Sequence, residues 1–481
     1  MLKQGVLSLV GMSLLVFSSL TRAVEYEANF LDVINFPTHV ATMLEDGKVF
    51  WYDDDNRETK MYEDGVTQTV LNQKTDFDNF QINNKGMYTY EIADNSGTIV
   101  RKALYFNDGE STQLLDSVEY ERGLEQSKFI FSHNVSPDGK VLWSTSQGTA
   151  VPSCHLKTYY KGDIQTIREG IYCPRPDGGF LYHPPPFNQR GQVTWYKPHG
   201  SIGRDIYLYD GNDVQQITNT DDYEETPTIN ESGDLAWRFL DTEGFRGIAA
   251  YIDGAVIELV RSAKSVDYAI NNGGQIAWVV DSTELFLYEA GKVIQYSEQS
   301  GIRSIKLDDS GWLSWLTGDN RLFIYREGEY KSFNSDRNFE FRSYHLPNFI
   351  NDRNFFVEVT SVASVTAGRI LYYDGHDLRD LSGVEGDQYI SQFRYTKSGH
   401  ASWVVNKPGD EPNTNTDDRP IKINIFDGNT VYEHRSSEGV EWDSVSLQGM
   451  SEKGDVLYTW HDPSYDYHLI VLSPVSPLPQ H

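Results

Sequence analysis

Residues 229–260 read INESGDLAWRFLDTEGFRGIAAYIDGAVIELV, and residues 270–297 read INNGGQIAWVVDSTELFLYEAGKVIQYS. Each opens on an Asn-x-x-Gly turn and continues as an alternating strand through Trp237 or Trp278. A second strand with Tyr251 or Tyr288, a glycine turn and a third strand follow. Period-two alternation between glycine turns marks antiparallel hairpins. A further short strand precedes the Asn turn, making four strands per unit.

Outward from this pair, aromatic markers after the turn fall at Trp51, Tyr90, Trp143, Trp195, Trp237, Trp278, Trp315, Phe356, Trp403 and Trp460. Four short strands repeating every forty residues or so, with helical periodicity almost absent, predict an all-β chain folded as a single β-propeller of four-stranded antiparallel blades. A solenoid is the alternative, which the hairpin-rich meander fits less well. About ten repeat cores can be counted, whereas most propellers have four to eight blades.

No Pro- or Ser-rich linker divides the chain, so residues 24–481 are expected to form one propeller domain, with VSPLPQH as a tail. Residues 1–23 carry an early lysine, a short apolar run and small residues around Ala23. They read as a secretory signal peptide, too short for a membrane span, and the protein is expected to be extracellular or periplasmic. The formal charge of −29 speaks against nucleic acid as a partner, and against an anionic substrate unless basic residues gather at one site.

They gather between 153 and 205. This strip holds three of the twelve histidines, and its seven Lys or Arg outnumber four acids. Its two cysteines, Cys154 and Cys173, read either as a disulfide or, with His183 nearby, as zinc ligands, although the spacing matches no standard zinc motif. Structural zinc or calcium is open on this reading, and YDDDN (52–56) and NTNTDD (413–418) are the calcium candidates. No cofactor is expected to be required for catalysis.

Function is sought where the repeat breaks its own pattern. In FSHNVSPDGKVLW (131–143) His133 falls where two other copies carry Pro185 and Pro227. His155 begins the second strand of the same unit and aligns with Arg204 of the next. Tyr223 lies just before Pro227, and Arg238 follows Trp237 directly. Singly, each is an ordinary structural residue of a β protein. Together they suit β-elimination on a uronic acid: an Arg fork neutralises the carboxylate, and His or Tyr groups take the C5 proton and protonate the departing oxygen. Hydrolysis would need a defined carboxylate pair, and no motif selects one.

An exported propeller with an Asn-x-x-Gly…Trp repeat and these His, His, Tyr and Arg positions resembles the ulvan lyases, secreted enzymes of marine bacteria. The resemblance implies a seven-bladed propeller with a deep canyon. It implies cleavage of the bond between 3-sulfated rhamnose and a uronic acid, leaving unsaturated uronate ends. It makes His133, His155, Tyr223 and Arg238 the catalytic set. Tyr196, His199 and Arg204, with Arg246, would bind substrate, and the first three form an alternative cluster. The expected partner is an acidic sulfated polysaccharide, with the chain a monomer and neither nucleic acid nor membrane involved. Two other readings stand beside it: a non-catalytic propeller binding glycan or protein outside the cytoplasm, and a lyase for another uronate polymer such as pectin or rhamnogalacturonan.

Overall fold

The computed structural model describes residues 26–475 except 35–40, 54–55, 57, 73–74, 95–96, 122–127, 148–152, 173–187, 200–202, 226, 265, 298–300, 336–338, 342–345, 352, 362–367, 383–388, 407–420, 436–443 and 462–466. All regular structure among these residues is antiparallel β-sheet, apart from one parallel bridge. The strands form ten blades in chain order: 1 (41–71), 2 (75–121), 3 (128–172), 4 (193–216), 5 (223–262), 6 (266–297), 7 (302–334), 8 (339–380), 9 (389–435) and 10 (444–474). The fold is a β-propeller.

There is one aromatic marker to a blade, on the second strand in order across the sheet, except that Trp195 lies on Val193–His199, the first described strand of blade 4. Trp51, Trp143, Trp237, Trp278 and Trp403 are among the largest fully buried side chains. Blade faces are apolar on both sides, so every blade must pack between two neighbours. Ten clusters of buried side chains do this, one per seam. Trp315 packs against Leu287 between blades 6 and 7, and Trp403 against Phe356 between blades 8 and 9. The circle closes where Leu457, Leu469 and Val471 of blade 10 meet Val49 and Trp51 of blade 1. Seven blades, the number implied by resemblance, is therefore corrected. The number of markers tracks the number of blades because each blade carries one, although Phe356 and Trp403 share the seam of blades 8 and 9.

Closure uses both ends of the chain. Strand Tyr26–Ile34 pairs with Tyr467–Pro474 and becomes the outer strand of blade 10. Its Asp32 then accepts hydrogen bonds from Trp51 Nε1 (2.9 Å) and Lys60 Nζ (3.0 Å) of blade 1.

The repeat's Asn has a double task. Asn230 Oδ1 accepts the N–H of Asp234 at 2.8 Å, capping its own turn, while Nδ2 donates to the Asn271 carbonyl of the next blade at 2.9 Å. Asn188 donates likewise to the Asn230 carbonyl (2.9 Å), and Asn271 to that of Asp308 (2.8 Å). An Asx side chain that satisfies its own turn and has a donor left over can stitch neighbouring turns together. The turn glycine is needed for two reasons. Gly233 sits at φ +93°, and a Cβ there would lie 2.9 Å from Gln192 Oε1 of the preceding blade.

Candidate functional site

The fourth and fifth blades are one continuous sheet, unlike the other neighbours. Residues Tyr223–Glu224 bridge them, pairing parallel to Arg204 in blade 4 and antiparallel to Leu240 and Phe239 in blade 5. This two-residue strand positions the candidate site.

At its centre the Arg204 guanidinium carbon lies 4.3 Å from the ring centre of Tyr196 and 3.8 Å from that of Tyr223. Among the described residues no carboxylate pairs with this cation. Stacked between two rings, it keeps its fork of donors for a planar anion. On the opposite face of the same strand pair, His199 Nδ1 lies 3.1 Å from Asp205 Oδ2, and its Nε2 3.7 Å from Asp221. A carboxylate behind one imidazole nitrogen orients the ring. The ring lies so close over Gly203 that a Cβ there would approach Nε2 to 2.6 Å.

Sequence reasoning missed Glu224 and Asp205. Glu224 stands opposite Phe239, two residues after the blade's Trp, where blades 3, 6 and 7 place Ile130, Val266 and Ile302. A carboxylate in that apolar row was the available signal. Burial pushes the Glu224 carboxyl up to about 7, opposed by a hydrogen bond from the Thr218 hydroxyl, with Asp205 adding to the rise. A buried carboxyl that exchanges its proton near neutrality is a functional-site signature.

The structure distributes the expected catalytic set over several seams. His133 is 3% exposed and turned into the seam between blades 2 and 3. Its Nδ1 is 2.7 Å from Thr89 Oγ1, and its Nε2 is 3.8 Å from Glu91, which also faces Lys102 Nζ at 3.6 Å. His155 lies opposite Thr145, on the blade face that carries Trp143 and Lys157. That face packs on blade 2, where Asp116 accepts from both Trp143 and Lys157. Both histidines thus belong to the side of blade 3 turned away from blade 4. His133 sits in a buried polar cluster and not on a canyon floor. The repeat accepts imidazole there because Thr89 and Glu91 of the neighbouring blade supply its partners.

Arg238 and Tyr223 lie on paired strands, diagonal neighbours across the ladder. Arg238, however, is held by Glu225 (Nη2, 2.8 Å) and reaches Asp267 of blade 6 at 3.7 Å. Of the alternative cluster, Tyr196 and Arg204 are brought together, with Tyr223 added, whereas His199 turns to Asp205 on the opposite face of the same strand pair. Arg246 is exposed at the start of its strand, opposite Leu240.

Cys154 lies in strand Ser153–Tyr160, while Cys173 and His183 lie outside the described residues, as does 413–418. In the other calcium candidate, Asp53 accepts from the N–H and Nδ2 of Asn56 and pairs with Lys60 at 2.5 Å. Burial acts to raise its carboxyl, but these partners hold it down at about 2. Among the described residues no group of three or more His, Cys, Asp or Glu is placed to hold a metal ion.

No family model matches the chain, and no curated protein matches it in sequence. Similar solved structures include the β-propeller domain of the trilobed protease from Pyrococcus furiosus, 10% identical over 74% of this chain and 99% of that one, TM-score 0.31. YCF48 bound to D1 peptide is 9% identical over 79% and 94%, TM-score 0.28. The WD40 domain of SCAP from fission yeast is 10% identical over 80% and 95%, TM-score 0.32. The class of protein is a β-propeller, on its own strand order and closure.

Proposed function

We propose that the chain is a secreted lyase for an acidic, uronate-containing polysaccharide of the ulvan kind, acting at the seam of blades 4 and 5. The observation that carries this reading is the Arg204 guanidinium, ring-stacked and without a carboxylate partner among the described residues, in a chain of net charge −29. Such a cation draws an anion by removing its electrostatic isolation. In the proposed reaction Arg204 binds the uronate carboxylate and stabilises the enolate that forms on it. Tyr223 takes the C5 proton. The C4–O bond then breaks, the C4=C5 double bond forms, and the departing oxygen takes a proton from Tyr223 or from water.

A second reading, a non-catalytic glycan-binding propeller, is favoured by one observation: His133, the expected proton carrier, is buried and paired. One assay separates the two. Purified protein is incubated with ulvan, pectin or alginate, and ultraviolet absorbance of unsaturated uronate is followed. A rise with ulvan that Arg204→Met removes supports the proposal. A rise with pectin alone replaces the substrate. No rise on any polymer, with glycan binding retained, transfers the seam to the binding reading.

A further inference from the structure

The repeat departs from itself at three positions that meet in one place, remote from blades 4 and 5. In the Asn-x-x-Gly turns, nine blades carry a glycine with positive φ, such as Gly274 (+74°) and Gly311 (+88°). In blade 8 the same hydrogen-bonded turn runs from Ile350 N–H to the Asn354 carbonyl (2.9 Å), and its glycine position is Arg353. The residue after the glycine normally covers the next blade's turn: Lys140 lies over Gly191, and Gln275 over Gly311. In blade 7 that residue is Trp312, which stacks on Phe349 instead, ring centres 5.3 Å apart and 5° from parallel. The exposed residue near the start of the outer strand is aliphatic in blades 1 to 6, as in Val256 and Val293. In blade 7 it is Tyr330, 66% exposed.

The result is a groove of about 770 Å³ between blades 7 and 8, lined by Trp312, Arg326, Tyr330, Lys331, Arg353 and Tyr373. Lys331 Nζ donates to the Tyr373 hydroxyl and to the Gly375 carbonyl (3.2 Å), both neutral acceptors. Among the described residues neither Lys331 nor Arg353 has a carboxylate partner, although Glu327 and Glu329 stand at the rim. Arg326 is the exception, with Glu327 at 3.6 Å. Unneutralised cations beside an exposed ring, on a strongly acidic protein, mark an anion site with an apolar platform. The groove is built from hairpin ends and does not run along the outer strand Glu329–Asn334, so it does not suit an extended peptide added to the sheet edge.

We propose that this groove is a saccharide-binding site for an acidic pyranose, whose ring packs on Tyr330 while its carboxylate or sulfate pairs with Arg353 and Lys331. It is separate from the Arg204 seam and does not require the chain to be a lyase.

The test uses the full chain with Arg204→Met, which silences the first site, and calorimetric titration with four probes: a galacturonate hexamer, a sulfated uronate hexasaccharide, cellohexaose and poly-glutamate. Arg353→Gly and Tyr330→Val install the residues used elsewhere in the repeat, and thermal melts confirm that they fold. The expected result is that an acidic hexasaccharide still binds and that either substitution weakens it by about tenfold or more. Binding of the galacturonate assigns a carboxylate site, and binding of the sulfated probe alone a sulfate site. Loss of all binding in Arg204→Met, unchanged affinity in both groove variants, or poly-glutamate or cellohexaose binding as tightly as the acidic sugar overturns the proposal. Failure of the lyase reading is read separately, from absorbance.

Discussion

The guanidinium carbon of Arg204 lies 3.8 Å from the ring centre of Tyr223, although nineteen residues and a blade boundary separate them in the chain. The parallel bridge between the same two residues fixes the contact. A cation held this way is oriented without being neutralised, which is what recognition of a carboxylate needs.

Arg204 variants should therefore divide by shape as well as charge. Arg204→Met keeps the packing between the rings and should lose about a hundredfold or more in turnover on ulvan, with little change in melting temperature. Arg204→Lys keeps the charge but not the planar fork and should recover only part of it. Initial rates and thermal melts of the three proteins check this, and equal activity of Arg204→Met and the parent removes Arg204 from the site.

His133 should behave as a structural residue. His133→Ala removes the imidazole that Thr89 and Glu91 face in the seam and should cost about 1–3 kcal/mol of stability. His133→Gln, which retains polar atoms in the seam, should cost less. Urea unfolding measures both. Full stability of His133→Ala together with abolished polysaccharide cleavage would restore it to the catalytic set.

The turn ladder gives a third prediction. Asn230→Asp retains the cap on Asp234 N–H but loses the amide that donates to the Asn271 carbonyl and to Asp234 Oδ2. Asn230→Ala loses the cap as well. Stability should fall in the order parent, Asp, Ala, with about 1–2 kcal/mol for the last step. Hydrogen exchange at the Asn271 turn should rise in both variants, and an unchanged pattern in Asn230→Asp would show that the inter-blade bond contributes nothing.

Glu224 predicts the sign of a pH effect. Its folded carboxyl titrates near 7, above the ordinary 4.5, because it is buried. Between those values the native state holds a proton that the unfolded chain has lost, so this group's contribution to stability falls as pH rises through the window. Glu224→Gln should flatten that part of the stability–pH curve. Chemical unfolding at pH 5 and pH 8, in parent and variant, reads the difference, and parallel curves would show that the carboxyl does not titrate there.

What the sequence determined by itself was the blade. Alternation, glycine turns and one aromatic per unit report local hairpins and the face each buries, and these are short-range properties of the chain. The marker count also carried the blade number, because each blade has one. Only the tertiary structure decided which side chains meet. His133 and Pro227 occupy matching places in the repeat, yet the partners of His133 come from blade 2, forty-four residues back at Thr89. Arg204 and Tyr223 were each legible as pattern breaks, but a two-residue bridge between blades joins them. Glu224 was legible only as a carboxylate in an apolar row, and the groove at Arg353 only as a missing glycine. Around a ring, function depends on contacts across seams, and these are set by how neighbouring blades stack and not by the period within one blade.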